Sequence, residues 1–118
     1  MIETKTLEQV QASIANNETC VVNLTAAWCP DCTDQAENLP VLAKALAGKQ
    51  VPCYTLAVQV EKRIYLSEQH ESFAESVGGH GFPRTLLVIK GKVVDADNVE
   101  VISKEQLTEL ADKFVAQL

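Results

Sequence analysis

Two cysteines separated by two residues, Cys29-Pro30-Asp31-Cys32, are the side chains here whose types and spacing suit a shared reaction. A dithiol so spaced can close to a disulfide and reopen, exchanging two electrons with another thiol pair. The same spacing also suits half of a tetrahedral zinc site. A second half is not evident: Cys20 and Cys53 stand alone in apolar runs, and His70 and His80 show no paired ligand spacing with them. The reading is therefore redox chemistry without metal.

What positions the two thiols decides which of them attacks. The apolar run Val21-Val22-Asn23-Leu24 reads as a buried strand, and the polar segment opened by Pro30 reads as a helix. Proline suits the first helical turn, where its missing N–H costs nothing. A strand that turns into a helix at this point places Cys29 at the helix N-terminus and Cys32 one turn inside, so their sulfurs can meet. Unpaired backbone N–H groups and the helix dipole favour negative charge there, and so favour a thiolate at Cys29. An ordinary thiol, with a pKa of about 8.5, is only a few per cent ionised at neutral pH, so such help separates a nucleophile from an inert group. Cys29 is thus expected to be the exposed nucleophile and Cys32 the resolving thiol. Asp31 and Asp34 suit the helix N-terminus, although Asp31, close to both sulfurs, opposes the thiolate.

The full motif is Trp28-Cys29-Pro30-Asp31-Cys32, and a second signature follows at Gly81-Phe82-Pro83, ahead of the buried-strand pattern Thr85-Leu86-Leu87-Val88-Ile89. Together these resemble the thioredoxin family over most of the chain, in the WCPDC form rather than the WCGPC form. The resemblance implies a thioredoxin fold, an α/β architecture with a central mixed sheet flanked by helices. It implies a cis-proline at Pro83 lying against the dithiol, and a substrate groove formed by Trp28, Pro30, Asp31, Phe82 and Pro83, with Trp28 as an exposed docking aromatic. The implied activity is thiol-disulfide exchange on protein or small-molecule disulfides, with thioredoxin reductase or another dithiol restoring the reduced form and no bound cofactor. Four departures from the pattern bear on substrate class. Arg84 intervenes after Pro83, Asn23 stands where a buried aspartate is usual, a lysine is missing near Tyr54, and a glycine is replaced near Glu100. Two alternatives stay open: a glutaredoxin-like, glutathione-dependent reductase, suggested by proline after the first cysteine, and a binding module that keeps the fold without turnover.

Composition narrows the setting. A chain of 118 residues that is 47% hydrophobic is long and apolar enough for one domain with its own core, over 1–118. Its net charge of −6 argues against binding nucleic acid, which depends on neutralising phosphates, and against an acidic membrane surface. No apolar run approaches a membrane span, and Met1-Ile2-Glu3-Thr4 does not open a secretory signal. The expectation is a cytoplasmic monomer with its thiols kept reduced. Cys20 and Cys53 are read as core thiols, and His80 as a solvated loop histidine rather than a proton carrier.

The remaining elements follow from periodicity and caps. A short strand over 2–5 precedes a helix from Leu7 to Ala15, capped at Thr6. The helix from Pro30 is expected to reach Ala47, with Ala36, Leu39, Ala43 and Leu46 facing the sheet and Pro40 kinking it near Glu37. Val51 to Val58 reads as a strand, Gln59 to Leu66 is ambiguous, and Glu68 to Val77 reads as a helix capped by Ser67. Thr85 to Ile89 should form a hairpin with Val93-Val94, and Ser103 should cap a last helix whose apolar face is Leu107, Leu110, Ala111, Phe114, Val115 and Leu118.

Overall fold

The computed structural model describes residues 2–118; Met1, the first residue of the expected domain, lies outside them. Eleven elements follow one another along the described chain. They are β1 (Ile2–Thr4), α1 (Leu7–Ala15), β2 (Cys20–Ala26), α2 (Pro30–Asn38), α3 (Pro40–Ala47), β3 (Cys53–Glu61), β4 (Ile64–Tyr65), α4 (Glu68–Ser76), β5 (Arg84–Ile89), β6 (Lys92–Val99) and α5 (Lys104–Gln117). The sheet runs β1-β3-β2-β5-β6, with β4 paired to β3. β1 and β2 are both parallel to β3, whereas β5 is antiparallel to β2 and to β6, so the sheet is mixed as expected.

β2 and β5 sit at the centre and are covered on both faces, which explains their nearly unbroken apolar runs. Alternate residues divide between two layers. Cys20, Val22, Leu24, Leu86 and Val88 pack with Leu7 and Val10 of α1 and with Val77 and Phe82. Val21 and Leu87 pack with Leu42, Ala43 and Leu46 of α3 and with Leu107, Leu110, Ala111 and Phe114 of α5. Each fully buried Leu or Phe contributes about 1.5–3 kcal/mol relative to exposure, so these helices are held chiefly by their apolar stripes. The expected capping boxes are present at Thr6 with Gln9 and at Ser103 with Gln106.

Three expectations are corrected, and one open stretch is resolved. The long helix from Pro30 to Ala47 is two helices that meet at Leu39, rather than one kinked near Glu37. Leu39 keeps helical angles, and its N–H bonds to the Gln35 carbonyl at 2.7 Å, but Pro40 has no N–H to offer the carbonyl of Ala36. Ala36 is exposed, and Gln35 takes the inward position expected of it, in line with Cys32 and Leu39 at helical spacing. The ambiguous stretch is the far end of β3 and its return as β4, with Gln59 paired to Tyr65 and Glu61 to Ile64. Arg63 turns this hairpin with φ of 67°, a left-handed conformation more usual for Gly or Asn. β6 reaches Val99 instead of stopping at Val94, its charged residues Asp95 and Asp97 lying on an edge strand.

Candidate functional site

β2 ends at Ala26, and a three-residue turn delivers the chain to α2, whose N-cap is Cys29 and whose first residue is Pro30. Cys29 Sγ accepts a hydrogen bond from the backbone N–H of Cys32 at 3.2 Å, so the sulfur itself caps the helix. Its thiol also lies 3.7 Å from the carbonyl oxygen of Phe82, which brings the loop before β5 against the dithiol. The Phe82–Pro83 peptide bond is cis. Cys29 and Cys32 are 5% and 7% exposed, so the expected contrast between an open and a closed sulfur is absent. They differ in hydrogen bonding, since only Cys29 Sγ caps the helix. Burial pushes the Cys32 thiol up to about 12, helped by its bond with Cys29 and by the negative charge of Asp31, against a smaller opposing effect from the backbone of Ala26.

The other predicted groove residues are less open than expected. Pro30 is exposed and Asp31 half-buried, but Phe82 and Pro83 are buried. Trp28 is half-buried rather than exposed: its Nε1 donates to Gln59 Oε1 at 2.8 Å, and its ring stacks on His80 with centroids 6.1 Å apart and planes 8° from parallel. His80, read from sequence as a solvated loop residue, is exposed yet also meets the edge of Phe82 at 5.4 Å. Partial burial lowers its pKa, Arg63 and Lys62 add to that, and Glu75 opposes. Cys20 and Cys53 are buried thiols pushed up to about 12, Cys20 by burial and the charge of Glu18, Cys53 by burial and Cys20. Among the described residues no group of three or more His, Cys, Asp or Glu is placed to hold a metal.

Behind the dithiol lies a neutral polar network that the sequence did not announce. Asn23 Nδ2 donates to Gln35 Oε1 at 2.7 Å, and Thr85 Oγ1 donates to Asn23 Oδ1 at 2.9 Å. Gln35 Nε2 donates to the carbonyl of Val101 at 2.9 Å, and Asn98 Nδ2 to that of Thr85 at 3.0 Å. All four side chains are buried, and each of these groups has found a partner, as burial of polar atoms demands. The β3 residue opposite Asn23 in register is Thr55, one beyond Tyr54. Glu100 holds a left-handed φ of 59°, which explains why glycine suits that position, and its N–H donates to the Pro83 carbonyl at 2.8 Å.

Arg84 is the least expected of the buried residues, at 5% exposure. It makes no ion pair among the described residues: Nη1 donates to the Ala96 carbonyl at 2.8 Å, and Nε has no partner. Its guanidinium fills the space under the glycine loop that leads to Pro83. A Cβ at Gly78 would stand 2.4 Å from Nη1, and Gly78 also has φ of 130°. Gly78→Ala should therefore destabilise the fold by about 2–4 kcal/mol, from backbone strain and overpacking together. Urea denaturation checks this, and Arg84→Met in the same background should recover the packing part but not the strain. A cost for Gly78→Ala below about 0.5 kcal/mol, the range of an ordinary surface change, would contradict it.

No protein-family model matches this sequence, and no curated protein matches it significantly. Solved structures do match. The thioredoxin of Fasciola hepatica aligns over 95% of this chain and 98% of its own at 21% identity, with a TM-score of 0.66. The thioredoxin of Malassezia sympodialis aligns over 96% and 92% at 18% identity, with a TM-score of 0.65. The fold is that of the thioredoxins. The J-Trx1 fragment of ERdj5 gives a TM-score of 0.69 at 20% identity, over 97% of this chain and 50% of that fragment. At such identities the thioredoxin likeness establishes architecture, and the roles of residues must be argued from their chemistry.

Proposed function

We propose that this protein is a thioredoxin-like disulfide reductase working through Cys29 and Cys32, as one domain over 1–118 and as a monomer. The observation that carries this reading is a sulfur serving as a helix N-cap, with a second thiol one turn on and the Phe82–Pro83 loop against them. Cys29 attacks one sulfur of a substrate disulfide; that bond breaks, the leaving thiolate takes a proton, and a Cys29 mixed disulfide remains. Cys32 then loses its proton and attacks Cys29 Sγ. The second substrate thiol leaves, so the substrate has gained two electrons and two protons while the protein has become a disulfide. A thioredoxin reductase or another dithiol reverses that oxidation, and no resident cofactor takes part. Trp28, Pro30, Asp31, Phe82 and Pro83 border the reacting sulfurs and would contact the substrate. The setting that suits a reductase is the cytoplasm, where thiols are held reduced; no helix among the described residues is long and apolar enough to cross a membrane.

Insulin reduction with either thioredoxin reductase or glutathione as electron source tests the reading. Turnover with the first is the expected result. Turnover only with glutathione would favour the glutaredoxin-like alternative, and none with either would leave a binding module.

A further inference from the structure

The β3–β4 hairpin stands beside Trp28 and turns through two adjacent cations, Lys62 and Arg63, in a chain whose net charge is −6. It is tied to the site at its base: the Ala27 N–H donates to the Gln59 carbonyl at 2.9 Å, and Trp28 Nε1 donates to the Gln59 side chain. At its tip Lys62 and Arg63 are exposed, and among the described residues neither is in an ion pair. Lys62 Nζ lies 6.0 Å from the centroid of the Trp28 ring, whose neighbour in the chain is Cys29. Both cations also bear on His80, whose ring stacks on Trp28, and their effect there outweighs that of Glu75. Val60, Ile64 and Leu66, about half exposed on and just after the same hairpin, add an apolar flank. Carboxylates stand nearby as well: Glu61 precedes Lys62 at the end of β3, Glu75 acts on His80, and Asp31 follows Pro30 on α2, so the hairpin tip keeps one net positive charge.

We propose that the hairpin is a specificity element, and that the preferred substrate is an acidic peptide segment carrying the disulfide, its carboxylates docked on Lys62 and Arg63. This rests on the reductase reading and adds to it a substrate class. A carboxylate about 6 Å from one cation in water gains about threefold in affinity, and two cations give about fivefold after screening by salt. Because the whole chain is negative, salt would weaken the local attraction and the general repulsion together, so the test must come from substitution.

Three cyclic disulfide peptides, identical except for Glu, Gln or Lys at the two positions flanking each cysteine, are reduced in single turnover by the pre-reduced protein. The second-order rate constants should order Glu above Gln above Lys, with Glu about fivefold over Gln. In the doubly neutralised variant Lys62→Gln/Arg63→Asn the Glu-to-Gln ratio should fall to near one; asparagine accepts the left-handed angle that Arg63 adopts, so the turn is kept. Equal wild-type rates on the Glu and Gln peptides, or a ratio unchanged by the double substitution, would overturn the charge proposal while leaving the reductase intact. Failure to reduce any of the three peptides would instead sink the reductase reading, and this one with it.

Discussion

Replacing Cys32 with serine is expected to arrest the protein as a stable mixed disulfide on Cys29 and to lower insulin turnover by at least about 10³-fold, the scale seen when a chemical nucleophile is removed. Exposure does not separate the two sulfurs, which are equally buried. Their surroundings do. Burial holds the Cys32 thiol well above the ordinary range, so its thiolate is scarce at pH 7. Cys29 instead receives the Cys32 N–H at the end of α2, where an anion is favoured. The first attack therefore belongs to Cys29, and Cys32 becomes reactive only when the mixed disulfide brings an electrophilic sulfur to it. Incubation of the serine variant with a disulfide of 5-thio-2-nitrobenzoate, followed by mass spectrometry of the non-reduced protein, should show one adduct at Cys29. Retained turnover, or an adduct on Cys20 or Cys53, would remove the mechanism.

The dithiol, the strand before it and the loop at Pro83 could be found in the sequence because each has a local cause. A strand flanked by turn residues, a proline at a helix start and two capping boxes are short-range signals. What stayed hidden depends on contacts between distant segments. The Lys62-Arg63 turn contains none of the residues that mark a hairpin, and Arg63 adopts a left-handed angle that the pairing of β3 with β4 imposes. Gln35 is polar and so carries no hydrophobic signal, although its three- and four-residue spacing from Cys32 and Leu39 suits the buried stripe it occupies. Ala36 also lies within helical reach of Cys32 and Leu39, so periodicity alone does not separate it from Gln35, and only the structure shows that Ala36 is the exposed one of the two. Arg84 could be seen as an insertion after Pro83, but not that a cation would be buried there, since the space for it comes from glycines at 78 and 81. The equal burial of Cys29 and Cys32 likewise depends on the Phe82 loop, more than fifty residues away.

The substitution Asn23→Asp should lower stability by an amount that depends on pH. Asn23 both donates and accepts, linking Gln35 to Thr85. Ionised aspartate only accepts, so either Gln35 Oε1 loses its donor or the Gln35 amide turns over and leaves the Val101 carbonyl unpaired. The new carboxylate would be as buried as the residue it replaces, at 1% exposure, and the cation nearest the network, Lys113, bonds to Asn98 rather than to Gln35 or Thr85, the partners of residue 23. Burial raises its folded pKa above the unfolded value of about 3.9, by about 2–3 units for such a site. The sign follows: below pH 4 both states are protonated and the charge costs nothing. As pH rises through 3.9 the unfolded state loses its proton first, so stability falls until the folded pKa is passed. Urea unfolding should show a loss of about 3–4 kcal/mol that develops between pH 4 and pH 7.5. Asn23→Leu should lose about 1–3 kcal/mol for each polar group left unpaired, independently of pH. The same aspartate supplies a base that asparagine cannot, bonded to Gln35 one helical turn from Cys32. Near neutral pH the mixed disulfide should then decay about tenfold faster in Asn23→Asp, a modest share of what a positioned base can give. Stopped-flow decay rates equal in the two proteins would mean that the network keeps the carboxylate from Cys32, and that Asn23 serves the core alone.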